Sequence, residues 1–344
     1  MGGPDISVRA FDATVIEAYR QLFPNDPGKT EALLRWRFEG NPHGPAKFVV
    51  AEQGGRIAGM IALVPSRLGN GPTALRGYQA IDTAVHPDWR GRGIFVELGT
   101  AAQSQEALNA DVLWGFPNAN AAPGWFGRLG WTSFGAAPLM MRPLRSSYLI
   151  GKIDPALRGM DIRLIGKREV DSRVYSADAE IGARLDRLWA KIRAGFGVAV
   201  NRDGHWMRWR LLDKPDADYR CVGIENIDGE IDAFVATKIA EKHGGRLCYV
   251  MEAFCAEGRE NELAGLLAAE LFRASSQGAE LALACCPRSA PNRVAYQKAG
   301  FLPVPARLRP IEINFGARAL GKAAADAAQP EAKWYVSFLD SDTN

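Results

Sequence analysis

Cysteine, histidine and uncompensated charge are all scarce in this chain of 344 residues. Its five cysteines (Cys221, Cys248, Cys255, Cys285 and Cys286) are odd in number, confined to the second half and never spaced Cys-x-x-Cys. That pattern argues against a disulfide scaffold or a structural zinc and predicts reduced, buried thiols in a cytosolic protein. Adjacent Cys285 and Cys286 fall in an apolar, strand-like run, where a thiol packs as a small hydrophobe. His43, His205 and His243 stand alone without metal-ligand spacing, so no metal is expected. Lys plus Arg is 42 and Asp plus Glu is 39, a formal net charge of +3, which is too even to make nucleic acid an obligatory partner. The longest apolar stretches, 57–64 and 281–286, fall well short of the roughly 18 residues that span a bilayer, so no membrane partner is expected. The start of the chain lacks a basic segment followed by an apolar one, and Gly2 is followed by Ile6 where a myristoylation signal needs Ser or Thr. A cytoplasmic monomer or homodimer is the expectation. Gly-x-Ser-x-Gly, His-Glu-x-x-His and Walker-type motifs are missing as well.

What is present is a folded composition, 47% hydrophobic and 24% charged, over a length suited to two domains. The chain also repeats itself. Arg35-Trp36-Arg37-Phe38, followed by Asn41-Pro42, recurs 173 residues later as Arg208-Trp209-Arg210-Leu211, followed by Lys214-Pro215. Each copy precedes a strand, a short turn and a second strand. Phe126-Gly127-Arg128-Leu129-Gly130-Trp131 recurs 170 residues later as Tyr296-Gln297-Lys298-Ala299-Gly300-Phe301. Several landmarks in the same order at nearly one offset predict two tandem domains of similar fold.

In the first half, apolar spacing predicts a strand at Ile6–Ala10, helices at Ala13–Leu22 and Lys29–Phe38, and strands at Phe48–Glu52, Arg56–Val64 and Tyr78–Val85. A helix from Gly93 to Leu108, a strand at Asp111–Phe116, a helix at Pro123–Leu129 and closing strands from Trp131 complete it. The second half repeats the order from Asp161, its long helix carrying Leu263, Leu266, Leu267 and Leu271. Hairpins followed by alternating strands and helices describe a mixed α/β sheet. Ala317–Lys333 reads as a surface excursion before a last strand, Trp334–Phe338, and the tail Asp340-Ser341-Asp342 as solvated, a carboxylate pair reaching a site being the alternative.

The chemistry concentrates at Ala84-Val85-His86-Pro87-Asp88-Trp89-Arg90-Gly91-Arg92-Gly93-Ile94, a strand end, a tight turn and a helix start. A helix N-terminus offers unpaired N–H groups and the positive end of the helix dipole to a phosphate. Gly91 and Gly93 let an anion approach the backbone, and Arg90 and Arg92 add charge and paired donors. A solvated basic turn is the bland alternative.

This segment resembles the pyrophosphate loop of the GNAT superfamily of coenzyme-A-dependent N-acetyltransferases, Arg/Gln-x-x-Gly-x-Gly/Ala after a strand ending Val-x-Pro. Arg90, Gly93 and Val85-His86-Pro87 match it, while Phe95 occupies the last Gly/Ala position. The family's closing Tyr-x-Lys-x-Gly-Phe is approximated by Phe126-x-Arg128-x-Gly130-Trp131 and nearly intact in Tyr296-x-Lys298-x-Gly300-Phe301. The resemblance implies an α/β (α+β mixed-sheet) fold of two tandem GNAT-like acyl-CoA N-acyltransferase domains. Residues 1–145 would bind acetyl-CoA as co-substrate and 146–344 would be a degenerate copy. It implies direct transfer of the acyl group to a small-molecule or protein amine from a groove between strands 78–85 and 111–116. Ala84, Val85, Arg90, Gly91, Arg92, Gly93 and Ile94 would hold the coenzyme, with a backbone N–H near Val85 polarising the thioester carbonyl. Asn118 and Asn120 would either bond the pantetheine arm or only form a turn. Phe126 would border the coenzyme where the family often has a Tyr that protonates the thiolate.

For the missing acid, Tyr78, water, a residue from the other domain or no acid at all are the alternatives, since a thiolate of pKa near 8.5 leaves readily. For the base that frees the amine, Asp82 is the first candidate and His86 the second, with Asp82 paired to a neighbouring arginine as the structural alternative. Strict strand alternation would turn Asp82 away from Gln79 and Ile81. At the corresponding loop of the second half, Ala256-Glu257-Gly258-Arg259-Glu260-Asn261 sets acidic residues where a pyrophosphate would go, so no coenzyme is expected there. The alternatives to an enzyme are a catalytically inactive GNAT-fold binding or regulatory module, or a Fem-type aminoacyl transferase, which also pairs two such domains.

Overall fold

A computed structural model describes residues 3–69, 74–154, 159, 161–175, 179–305, 309 and 312–341. In chain order the first half runs β1 (Asp5–Ala10), α1 (Ala13–Leu22), α2 (Glu31–Phe38), β2 (Lys47–Gln53), β3 (Arg56–Leu68), β4 (Leu75–Val85), α3 (Ile94–Ala102), α4 (Gln105–Leu108), β5 (Val112–Gly115), β6 (Thr132–Ala136) and β7 (Leu139–Pro143). The chain continues with α5 (Ser146–Ile153), β8 (Arg173–Tyr175), α6 (Ala179–Ile192), α7 (Gly204–Leu211), β9 (Arg220–Glu225), β10 (Ile231–Lys242), β11 (Gly245–Cys255), α8 (Glu260–Ser276), β12 (Leu281–Cys285), α9 (Arg293–Lys298), β13 (Leu302–Pro303) and β14 (Asn314–Ala319). A single π-type turn covers Pro123–Arg128.

Two seven-stranded mixed sheets result, with orders β1-β2-β3-β4-β5-β14-β6 and β13-β7-β12-β11-β10-β9-β8. They are copies of one another. In each, one parallel pair sits among antiparallel neighbours: β4 with β5, from Gly77 opposite Val112 to Ala80 opposite Gly115, and β11 with β12, from Leu247 opposite Leu281 to Val250 opposite Ala284. The correspondence holds only because the halves exchange a strand. β14 enters the first sheet between β5 and β6, and β7 enters the second between β12 and β13. The closing strands expected from Trp131 therefore divide, β6 staying at home and β7 crossing over. The chain changes sheets across Ala137-Pro138, where the Ala137 N–H bonds to Ile313 O at 2.7 Å.

Helices cover both faces of the first sheet because β3 is apolar on both. Ile61 and Leu63 meet Ile94, Leu98 and Ala102 of α3, while Met60, Ala62 and Val64 meet Val15 and Tyr19 of α1 and Leu34 and Phe38 of α2. Side-chain caps start these helices: Asp12 accepts from the Val15 N–H at 2.9 Å, and Thr30 and Asp203 occupy the same cap position of α2 and α7. The second sheet and its helices form one larger core that continues across Leu68, Val112 and Trp114 of the first. Leu263, Leu266, Leu267 and Leu271 of α8 are buried there as their spacing predicts.

Other expectations are corrected. The long helix from Gly93 breaks after Ala102, and a separate turn of helix, α4, ends at Leu108. The segment from Ala317 begins as β14, so the excursion is confined to the short turns at Lys322–Ala324 and Asp326–Ala328. Trp334 makes only an isolated bridge to Val198, and a 3₁₀ turn at Phe338–Asp340 replaces the last strand. Asp340 and Ser341 are buried, not solvated, and Asp342 lies outside the described residues. No described helix is long and apolar enough to cross a membrane.

Candidate active site

The turn after β4 is built for an exposed backbone. Gly91 and Gly93 have φ of +75° and +85°, in the left-handed region that a side chain disfavours. Gly93 is the N-terminal boundary of α3, whose first residue, Ile94, is anchored in the core. The guanidinium of Arg92 lies 5.0 Å from the Trp89 ring, and Arg90 donates from Nε to the Val85 carbonyl at 3.3 Å. His86 Nδ1 accepts from the Asp88 N–H at 3.3 Å, so the imidazole shapes the turn. Phe95, at the position where the motif has Gly or Ala, packs its ring on Gly124, where even a Cβ would approach to 2.2 Å. It also meets Trp125 edge-on at 5.6 Å. The departure at Phe95 thus ties α3 to the Pro123–Arg128 turn.

Beside this loop the two parallel strands part. Pairing of β4 with β5 ends at Ala80 and Gly115, and β4 continues to Val85 without that partner. Gly115 permits the closest approach, since a Cβ there would lie 2.8 Å from Ala80 O. Pro117, which carries no N–H, follows. The opening holds a cavity of about 200 Å³ with Ala80, Ile81, Asp82 and Thr83 on one wall and Gly115, Phe116, Pro117 and Asn118 on the other. Trp125 and Trp131 border it on the α3 side and Phe23 on the α1 side.

A bulge explains why Ile81 and Asp82 both line this groove. Met60 opposes Ala84 and Ala62 opposes Ile81, leaving Asp82 and Thr83 against one residue of β3. Asp82 takes φ +48°, which Asp tolerates better than most residues. Alternation fails across the bulge, correcting the strict parity expected from sequence. The Asp82 carboxylate has two partners that local sequence did not reveal. Oδ1 lies 2.6 Å from Lys29 Nζ, and Oδ2 accepts from Tyr19 Oη at 2.8 Å. The pairing expected with an arginine is with a lysine.

The other candidates fall into place around the groove. Tyr78 packs into the core beneath α3 with Lys47 Nζ 5.9 Å from its ring, outside the groove lining, and burial raises its phenol pKa. Asn118 Oδ1 accepts from the N–H groups of Asn120 and Ala121 at 3.1 and 3.0 Å, so turn formation occupies that oxygen. Asn120 is exposed. The ring of Phe126 lies against Gly316 of β14, where a Cβ would come within 2.4 Å of it. In the second domain, the loop that sequence marked as unsuited to phosphate uses Arg259 internally, paired with Asp232 at 2.6 Å and Glu262 at 2.7 Å.

The second domain also delivers its C-terminal segment to β4. Gln79 Nε2 donates to the Asp340 carbonyl at 2.7 Å. Behind it lies a fully buried charge cluster in which Arg202 meets Glu252 and Asp340, each at 2.5 Å. Tyr335 Oη and Ser337 Oγ donate to Glu252. Burial works against the Arg202 charge, but the carboxylates of Asp340 and Glu252 outweigh it and hold the guanidinium above its usual pKa. No nearby sequence signal couples residues so far apart.

The fold defines the class: a doubled GNAT-like architecture with a splayed parallel pair and a glycine-rich turn at a helix start. The family model of the acetyltransferase (GNAT) domain matches residues 44–133, the segment from β2 to the start of β6. No curated protein matches the sequence. Among solved structures, a GCN5-related N-acetyltransferase from Anabaena variabilis is similar at 11% identity and TM-score 0.65, covering 94% of this chain and 75% of that one. The N-myristoyltransferase of Saccharomyces cerevisiae with bound myristoyl-CoA is similar at 11% identity and TM-score 0.59, over 92% and 84%. A conserved protein of Enterococcus faecalis V583, described as a probable N-acyltransferase, is similar at 12% identity and TM-score 0.63, over 92% and 73%. Residues 44–133 thus match an acetyltransferase (GNAT) domain, and the chain as a whole shares the fold of these structures.

Proposed function

We propose that the protein transfers an acyl group from an acyl-coenzyme A, held by the first domain, to an amine that enters from the α1 side of the groove. The observation that carries this reading is the 200 Å³ opening between β4 and β5, with β4 running on into a turn whose two glycines leave the backbone open at the start of α3. The residues fit the coenzyme: the Gly91–Gly93 backbone and the Arg90 guanidinium suit a pyrophosphate, and the narrow opening suits a pantetheine arm. The bound donor supplies an activated thioester carbonyl. Ala80 to Val85 present backbone along it, and Phe116, Trp125 and Trp131 limit water around it. In the transfer the carbonyl carbon gains the bond to the amine nitrogen and loses the bond to sulfur. One amine proton must also leave.

Asp82 is the proposed acceptor of that proton. Lys29 and Tyr19 occupy two of its roughly four acceptor positions and orient the rest. His86, whose Nδ1 is committed to the turn, is the proposed substitute. Acetyl is the proposed acyl group, and a myristoyl-CoA-bound relative of the same fold makes longer chains the comparison to run. A thiol-release assay with acetyl-, octanoyl- and myristoyl-CoA against an amine panel, beside calorimetry with coenzyme A, tests the reading. Binding of coenzyme A without thiol release would instead favour an inactive binding module, the reading that Phe126 favours by having no hydroxyl to offer a thiolate.

A further inference from the structure

We propose that the acceptor is a short α-amino acid, held with its amine on Asp82 and its carboxylate on Lys29. The inference rests on the acyl-transfer reading and adds the class of acceptor.

The second domain carries a copy of this corner of the groove. Two residues beyond the end of the parallel pairing stand Asp82 in β4 and Glu252 in β11, 170 residues apart. Immediately before the helix caps Thr30 and Asp203 stand Lys29 and Arg202, 173 residues apart. In each half that cation pairs with that carboxylate, Lys29 with Asp82 at 2.6 Å and Arg202 with Glu252 at 2.5 Å. Each cation also lies near a ring of the preceding helix. Lys29 Nζ is 5.9 Å from the Tyr19 ring, and the Arg202 guanidinium is 5.8 Å from that of Trp189. Cation, carboxylate and ring are thus duplicated as a unit.

The two copies differ in what lies on them. In the second domain residues 337–340 of the same chain cover the pair. Ser337 Oγ donates to Glu252 at 3.0 Å, and the Asp340 carboxylate meets Arg202 at 2.5 Å. Ser337 Oγ and Asp340 Oδ2 are 3.4 Å apart. The filled copy therefore takes a hydrogen-bond donor and a carboxylate side by side, the donor on its acid and the carboxylate on its base.

In the first domain the same pair faces the opening. Asp82 lines the 200 Å³ cavity, and Lys29 Nζ stands at its wall, 2.6 Å from Asp82 Oδ1 and 5.7 Å from the ring of Phe23, a second lining residue. Among the described residues Asp82 is the ion-pair partner of Lys29, whose side chain keeps 11% of its surface exposed. That contact uses one of three N–H donors. An α-amino acid presents an amine and a carboxylate at the spacing seen in the filled copy, because the bonds N–Cα–C–O span about 3 Å. Its amine donates to Asp82 as Ser337 does to Glu252, and its carboxylate meets Lys29 as Asp340 meets Arg202. Both charges of the zwitterion then enter the groove with a partner, which avoids the cost of an unpaired buried ion. The volume is below the roughly 300–1,000 Å³ of pockets for larger ligands, and leaves room for only a short side chain beside the acyl arm.

The test compares glycine with ethanolamine, and L-alanine with L-alaninol, in thiol release from the three acyl-CoA donors. Each alcohol keeps the amine and replaces the carboxylate by a hydroxymethyl group. In the parent the amino acids should exceed the alcohols at least tenfold in kcat/KM. Lys29→Met should lower that ratio at least tenfold, chiefly through KM, and Lys29→Arg should restore it. Because the ratio is taken within one protein, a smaller folded fraction cancels. Calorimetry with glycolate, which carries a hydroxyl beside a carboxylate, reads the same subsite without catalysis in the full chain loaded with coenzyme A. Glycolate should bind the parent, and bind Lys29→Met at least tenfold more weakly. Alcohols turned over as well as the amino acids, or a ratio or glycolate affinity unchanged in Lys29→Met, overturns the proposal and leaves acyl transfer standing. Thiol release only with other amines of the panel does the same. Thiol release with no amine at all overturns the acceptor role together with the acyl-transfer reading.

Discussion

Trp36 and Trp209 each donate the indole N–H to the other's backbone carbonyl at 3.0 Å, with their rings stacked 4.8 Å apart at 21°. These are the central residues of the two Arg-Trp-Arg copies, so the repeat seen in sequence meets itself across the domain interface. Each ring buries apolar surface while its one polar atom is satisfied, which makes the pair a pin between α2 and α7. Trp209→Phe leaves Trp36 O without its donor and should cost about 1–3 kcal/mol, measured by the denaturant midpoint. An unchanged midpoint would mean that the pair does not hold the domains.

Arg90→Glu places a carboxylate against the pyrophosphate position at the start of α3. Coenzyme A affinity should fall by about 2 kcal/mol or more, roughly thirtyfold, in calorimetry. Arg259→Gln, in the internally paired loop of the second domain, should leave that affinity alone. Equal affinity in the Arg90 variant would remove the turn from the coenzyme site.

Asp82→Asn keeps the shape of the side chain but not its charge. Turnover should fall roughly 10²-fold or more at neutral pH with coenzyme affinity unchanged, and the deficit should shrink as pH rises and free amine becomes abundant. A deficit that is flat with pH would assign Asp82 to holding the bulge through Lys29 and Tyr19.

Arg202→Met should be the most destabilising of these substitutions, because it strands Glu252 and Asp340 without a cation in a fully buried cluster. A loss of about 3–5 kcal/mol is expected in chemical denaturation. The triple change Arg202→Met, Glu252→Gln, Asp340→Asn should recover part of it. Failure of the triple to recover any would show that shape, not charge, sets the cost.

Burial pushes the thiols of Cys221, Cys248 and Cys286 up to about 12. Unfolded thiols ionise near 8.5. Because the folded pKa values are raised, their contribution is fully present below about pH 8.5 and is lost as pH rises toward 12. The urea midpoint should therefore fall across that range, and less steeply when all three are alanine. Matching slopes would contradict the assignment.

Local signals were legible because their causes are local. Apolar spacing marks α1 at Ala13–Leu22, and Gly91 and Gly93 mark the turn before α3, because side-chain periodicity and φ preference act within a few residues. The duplication was legible too, since tryptophans 173 residues apart need no structure to be matched. Pairing across distance was not. The β7 and β14 segments are short strands of five and six residues, and nothing in either says which sheet it will join. Their exchange was decided by which partners, β12 and β5, each strand meets in three dimensions. The bulge at Asp82, the Lys29–Asp82 pair and the burial of Asp340 share that origin. Backbone register, ion pairing and exclusion of water depend on neighbours that only the assembled sheets bring together.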